Sequence, residues 1–248
     1  MQIDHDIVLG VLFFAAALLY SSVGHGGGSG YLAAMALLGM PPAMMRPTAL
    51  VMNVGVAAIS LYKFSRAGGF DWRLFLPFAL TSVPMAYIGG RVHLPVAWFG
   101  VLVGAVLLFS AARLFGETLR RDGRARQLRG PPPAALALVL GAVIGLLSGL
   151  TGVGGGIFLS PLIVLAGWGT VRDSAAPTAA FILVNSIAGL VGLLSRQPAL
   201  PDALPYWVAA VLVGGLIGAT LGSRRLGSVG LRRALAAVLL VAGAKMVL

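Results

Sequence analysis

Ten apolar stretches follow one another through almost the whole chain, each broken from the next by charge or by proline and glycine. They run approximately over 7–22, 28–39, 48–64, 74–90 and 96–114, then over 134–150, 157–168, 174–194, 206–223 and 234–248. No polar stretch between them is long enough to fold as a separate soluble module. A length of 248 residues would allow one or two soluble domains. A composition of 58% hydrophobic and 10% charged residues, with a mean hydropathy of +0.96, excludes them, because an average globular domain is roughly 25% charged. The chain reads as an all-α, polytopic integral membrane protein whose partner is the lipid bilayer.

Its charge balance is lopsided, with 18 Lys and Arg against 7 Asp and Glu. In a soluble protein this would suggest phosphate contacts with nucleic acid. In a membrane protein basic residues collect in cytoplasmic loops, so no nucleic-acid partner is expected. Cysteine is absent, which removes thiolate nucleophiles and Cys-based metal sites, and no metal site or cofactor is expected. A signal peptide would carry a positively charged start. Met1-Gln2-Ile3-Asp4-His5-Asp6 is acidic, so the run that follows is read as a retained segment.

The ten stretches fall into two fives, divided by Glu117 to Pro133 with its five arginines and Pro131-Pro132-Pro133. The halves are related. Gly24-His25-Gly26-Gly27-Gly28 matches Gly152-Val153-Gly154-Gly155-Gly156 at an offset of 128, Pro47-Thr48-Ala49 matches Pro177-Thr178-Ala179 at 130, and Gly89-Gly90-Arg91 matches Gly222-Ser223-Arg224 at 133. Three ordered matches indicate an internal duplication, the usual construction of secondary transporters. The expected organisation is a first transmembrane repeat over 1–115, a basic cytoplasmic linker over 116–133 and a second repeat over 134–248. With the N-terminus outside, fourteen of the eighteen basic residues fall in inside loops. An odd number of segments per half then inverts one repeat relative to the other. The stretches 28–39 and 157–168 span only about 18 Å as helix, against about 30 Å of hydrocarbon. Each is therefore a full segment or half of a re-entrant hairpin, and the parity survives either reading.

Unpartnered backbone groups cost several kcal/mol in hydrocarbon, so a non-helical glycine cluster at membrane depth is buried in protein or lines a wet cavity. Both turns are therefore candidate sites. The short helices that begin at Gly28 and Gly156 carry about half a positive charge at their free N–H groups and suit an anion. Gly26, Gly27, Gly28, Gly154 and Gly155 permit close backbone approach. The competing reading is that these glycines only let helices pack closely.

Flanking polar residues complete the candidate substrate pocket: Ser22, Ser29, Thr48 and Asn53 in the first half, Thr151, Thr178, Asn185 and Ser186 in the second. Hydroxyls and amides donate to anion oxygens without burying a charge, although mid-helix Ser and Thr also bond back to their own carbonyls. The seven acids fall in expected loops or at the N-terminus, so no buried carboxylate carries a proton. His25 is the one titratable side chain in a glycine turn. With an unperturbed pKa near ~6.5 it binds an anion or relays a proton, or else holds a neighbouring carbonyl. Tyr20, Trp72, Trp98, Trp168 and Trp207 lie near segment ends and read as interfacial anchors.

The repeated Gly-X-Gly-Gly-Gly with a short apolar helix after it, the threonine-containing helix starts after Pro47 and Pro177, and the Phe70-Asp71-Trp72-Arg73 loop resemble the TauE/SafE anion permeases, or sulfite exporters, over about residues 7 to 248. The resemblance implies a carrier in the bacterial cytoplasmic membrane for sulfite, organosulfonates or related small anions. The first copy departs from the pattern in being more polar and in lacking the proline that Pro161 supplies in the second. Rival readings are an anion channel, an ATP-driven permease subunit and, from Gly27-Gly28-Ser29-Gly30, an intramembrane serine protease. The expected function is a non-enzymatic carrier working by alternating access at a midplane site. Substrate, direction, coupling ion and assembly into a homo-oligomer are left open.

Overall fold

Hydrocarbon offers a peptide group no water to pair with, and the described residues are helical, with no strand among them. The computed structural model describes residues 2–119, 130–195, 197–224, 239–241 and 243–247. In chain order the helices are α1 (Gln2–Ser21), α2 (Gly28–Leu37), α3 (Pro42–Gly68), α4 (Trp72–Arg91), α5 (Val96–Leu119), α6 (Ala134–Thr151), α7 (Gly156–Ala166), α8 (Val171–Leu194) and α9 (Leu204–Arg224). Residues 239–241 and 243–247 are also helical. The arginines of 120–129 and the basic stretch of 225–233 lie outside the described residues.

Helix ends differ from expectation for local reasons. Asp4 and Asp6 belong to α1 and do not precede it, where carboxylates favour the positive end of the helix. α3 begins at Pro42, a residue whose fixed φ suits a first turn. Pro47 therefore lies inside α3, as Pro177 lies inside α8, and neither precedes a helix start. α5 continues to Leu119 and takes in the first residues of the expected linker.

Among the described residues six helices are long and apolar enough to cross a membrane: α1, α3, α5, α6, α8 and α9. The apolar windows of α3 and α8 are each 61% buried, against 33 to 44% for the other four, so these two form the centre. They pack on each other, α4 packs on α6 and α8, and α9 packs on α1 and α3. Small residues bring the outer pairs close. Gly141, Gly145 and Gly149 of α6 lie against the backbone of Phe78, Ser82 and Ala86 of α4, while Gly214, Gly218 and Gly222 of α9 lie against Phe14 and Leu18 of α1 and Ser22 just past its end.

At 10 and 11 residues, α2 and α7 cover only about 15 to 17 Å. α2 doubles back along α1. Ser29 Oγ donates to Tyr20 Oη at 2.7 Å, the Tyr31 ring meets Phe13 edge-on at 5.7 Å, and Met40 shares a cleft with His5 and Leu9. In the second half, Leu159 and Ile163 of α7 cluster with Ile144 and Ala137 of α6. Two of the expected interfacial aromatics are buried instead. Tyr20 is 4% exposed, and Trp207, 2% exposed, donates through Nε1 to the Asp6 carbonyl at 2.9 Å. Trp72 and Trp98 remain exposed.

Candidate functional site

A helix start needs its first amides satisfied, and side chains cap the exposed starts of α4 and α8, while those of α3 and α6 follow prolines and face solvent. Asp71 accepts from the Arg73 amide at 2.8 Å, and Thr170 with Asp173 forms a reciprocal capping box on α8. The starts of α2 and α7 differ. Their N-cap residues, Gly27 (φ 106°) and Gly155 (φ 81°), are left-handed and no side chain caps either helix, although residues 26–30 and 151–157 are buried. Left-handed φ recurs at the matched pair Gly24 (80°) and Gly152 (83°), a conformation that costs a side chain about 1 to 2 kcal/mol.

The turns meet at mid-height of the central pair. A Cβ on Gly28 would stand 2.5 Å from the Val153 carbonyl oxygen and 2.7 Å from Asn53 Nδ2. One on Gly26 would stand 2.8 Å from Asn53 Oδ1, and one on Gly154 would stand 3.1 Å from Asn53 Nδ2 and 3.2 Å from Ser186 Oγ. Asn53 is the twelfth residue of α3, and Ile182, which touches Gly26, Gly154 and Gly156, is the twelfth of α8. Asn53 Nδ2 donates to the Gly152 carbonyl at 3.1 Å, and Tyr31 Oη donates to the Gly26 carbonyl at 2.7 Å.

Expected pocket residues divide into two groups. Thr48 Oγ1, Asn53 Oδ1, Thr178 Oγ1, Asn185 Nδ2 and Ser186 Oγ are buried and have no hydrogen-bond partner among the described residues. Buried polar atoms are nearly always paired, so a group of orphans calls for an explanation. The second group is occupied. Ser29 is bonded to Tyr20, Thr151 Oγ1 donates back to the Leu147 carbonyl at 2.7 Å, and Ser22 Oγ to the Leu19 carbonyl at 2.7 Å. His25 Nδ1 lies 3.1 Å from the Val23 carbonyl, and its ring lines a small cavity with Tyr20, Ser110, Arg113 and Ser160. It shares that cavity with α5 and α7, whereas Asn53 lies between the turns.

Several residues at the site were missed. Ser82 Oγ donates to Asn185 Oδ1, and Ser148 Oγ is another buried orphan. Arg46 is 7% exposed, donates to the Gly89 and Val92 carbonyls at the end of α4, and packs its backbone against Gly152. A lone arginine between two apolar stretches, directly before the repeated Pro-Thr-Ala, was the available signal.

Two clefts approach the turns from opposite ends of α3 and α8. One, of about 450 Å³, is lined by Ser22, Val23, Phe64, Thr170, Arg172 and Ala175 among others. It lies where Gly24 meets Ala175, whose carbonyl oxygen would be 2.7 Å from a Gly24 Cβ. The other, of about 350 Å³, includes Arg46, Pro47, His93 and Gln197. It lies where Gly152 meets Arg46, whose carbonyl oxygen would be 3.0 Å from a Gly152 Cβ.

Six membrane-length helices among the described residues, with two shorter apolar helices, define a multi-pass membrane protein. The chain belongs to the Sulfite exporter TauE/SafE family, which it matches over residues 9–246, and it is a membrane transporter of the cell membrane. It is 44% identical over 240 residues to the probable membrane transporter protein y4hK of Sinorhizobium fredii, with 97% of each chain covered. It is 27% identical to the probable membrane transporter protein ORF9 of a Sinorhizobium species, covering 88% of this chain and 82% of that one. It is 26% identical to the probable membrane transporter protein YjnA of Bacillus subtilis, covering 98% and 99%. No solved structure gives a significant match.

Proposed function

We propose that this transporter is a secondary carrier, and not an enzyme, that moves a small anion such as sulfite, thiosulfate, an organosulfonate or a related organic anion by alternating access. The observation that carries the reading is the pair of buried helix starts without side-chain caps, α2 and α7, converging on Asn53 beside unpartnered hydroxyls. Such starts present amide donors and positive partial charge to an anion, and Ser186 Oγ, Thr178 Oγ1 and Asn185 Nδ2 supply neutral donors alongside.

Residues 1–115 and 134–248 act as inverted repeats joined by the basic 116–133 linker on the cytoplasmic side. Support comes from contacts that recur with the halves exchanged: α4 on α6 corresponds to α9 on α1, and α4 on α8 to α9 on α3. Each turn also leans on the first residues of the other half's long helix, Gly24 on Ala175 and Gly152 on Arg46. Rocking one half against the other opens one cleft while the other stays shut. The serine-protease reading loses its nucleophile, because Ser29 Oγ is bonded to a tyrosine and not to a base.

The test is uptake into proteoliposomes of radiolabelled sulfite, thiosulfate, a sulfonate and a carboxylate by purified protein. Saturable flux of at least one, competed by its congeners, is expected. Absence of flux for all four, from protein shown to be folded, contradicts the proposal.

A further inference from the structure

The charge inventory around the turns is short. Asp71 and Asp173 lie at exposed helix starts, and Asp4, Asp6 and Asp202 belong to the N-terminal helix or a loop. Arg46 directs its guanidinium to the carbonyl end of α4, and Arg172 donates to the Ala67 carbonyl at 3.0 Å from an exposed position. Arg46 and Arg172 thus serve helix C-termini, which carry partial negative charge, while Arg113 lies with His25 in the separate small cavity lined by α5 and α7. α1 and α6 also end at the turns, but turn amides bind their terminal carbonyls: His25 N to Tyr20 O at 2.9 Å, Gly24 N to Ser21 O at 3.1 Å and Gly152 N to Ser148 O at 2.8 Å.

What remains at the centre is the pair of helix starts without side-chain caps. Each carries roughly +0.5 charge, so together they offer about one positive charge, with neutral donors around it. Ser186 Oγ, fully buried and unpartnered among the described residues, faces Gly154 from α8. Asn53 Nδ2 gives one of its two N–H donors to the Gly152 carbonyl, and Asn53 Oδ1 is an unpartnered acceptor facing Gly26. An acceptor there repels each further negative charge on a ligand.

We infer that the site between the turns is built for a singly charged anion and selects against doubly charged ones. The inference rests on the proposed anion site and narrows its substrates to singly charged ones, hydrogensulfite, monosulfonates and monocarboxylates, against thiosulfate and the sulfite dianion. One negative charge matches the two half-charges, whereas a second would be buried with nothing to compensate it, and an uncompensated buried charge costs several kcal/mol.

Thermal unfolding of the purified, detergent-solubilised protein separates the cases, because a ligand that binds only the folded state raises the midpoint, and at equal concentration a tighter ligand raises it more. The probes are sodium methanesulfonate, ethane-1,2-disulfonate and sulfate, in a constant background of sodium gluconate, on the parent and on Ser186→Ala. Methanesulfonate is expected to raise the midpoint, with both dianions weaker by about tenfold or more, and Ser186→Ala to reduce the methanesulfonate shift. A dianion binding as tightly as methanesulfonate overturns the charge selection and leaves the anion site standing. A full methanesulfonate shift in Ser186→Ala places the ligand elsewhere and overturns the inference. No shift with any of the three overturns the anion site and the inference together.

Discussion

Asn53 Nδ2 and the carbonyl of Gly152, 99 positions apart in the chain, are joined by a hydrogen bond of 3.1 Å at mid-height of the bundle. Through it α3 of the first half holds the glycine turn of the second. Its other amide atom, Oδ1, faces Gly26 of the first turn. One side chain therefore sets the distance between the two half-helix starts.

Replacing Asn53 with Asp keeps the shape but removes the donor to Gly152 and adds negative charge at the proposed anion site. A buried carbonyl that loses its partner costs about 1–3 kcal/mol. Asn53→Asp is expected to unfold at a lower temperature and to lose transport almost entirely, as read by unfolding midpoint and proteoliposome flux. Parent-like flux would contradict the assignment.

Ser186→Ala and Thr178→Val delete hydroxyls that are buried without partners. An unsatisfied buried polar group costs about 1–3 kcal/mol, so both variants should be as stable as the parent or more so. Flux at subsaturating anion should fall several-fold. If stability drops and flux holds, these hydroxyls are packing groups.

Gly28→Ala and Gly39→Ala separate close approach from backbone strain. Gly39 has φ 72° with nothing within 4 Å of an added Cβ, whereas a Cβ on Gly28 would meet the Val153 carbonyl oxygen at 2.5 Å. Gly39→Ala should cost about 1 kcal/mol and still transport. Gly28→Ala should push the turns apart and abolish flux. Equal flux from the two variants would count against the turn-to-turn geometry.

His25 lies beside Arg113 and Ser160 in its own cavity, its Nδ1 on the Val23 carbonyl. His25→Gln is therefore expected to keep the pH profile of transport, with any loss appearing in stability. A profile flattened between about pH 5 and 8, where histidine titrates, would make His25 the coupling group.

The chain has no cysteine, so single cysteines report sidedness cleanly. An impermeant thiol reagent applied to intact cells should label Gly39→Cys and Asp202→Cys and spare Gly69→Cys, which follows Lys63 and Arg66 in an expected cytoplasmic loop. The reverse pattern would invert the topology.

Helix positions were legible because hydrocarbon forces long apolar runs, and the expected stretches from 7 to 223 all correspond to helices. Their ends were less so, since Pro42 and the Thr170–Asp173 box start helices through local capping that hydropathy does not register. The glycine turns were visible as a repeat. Their meeting at Asn53 was not, because it depends on pairing residues about 100 positions apart. The four-residue glycine spacing at 141, 145 and 149, and again at 214, 218 and 222, was readable and marks packing faces. Ser29, Thr151 and Ser22 illustrate the opposite limit: a hydroxyl beside a turn looks alike in sequence whether it faces a ligand or its own carbonyls.

The central claim is that the two half-helix starts form one anion site, and amide hydrogen exchange with and without sodium sulfite or methanesulfonate tests it most directly. An anion held between the turns should slow exchange at peptides covering 26–32 and 154–160 together, with little change at the exposed starts of α4 and α8. Protection confined to one turn, or absent from both while transport persists, would contradict a shared site.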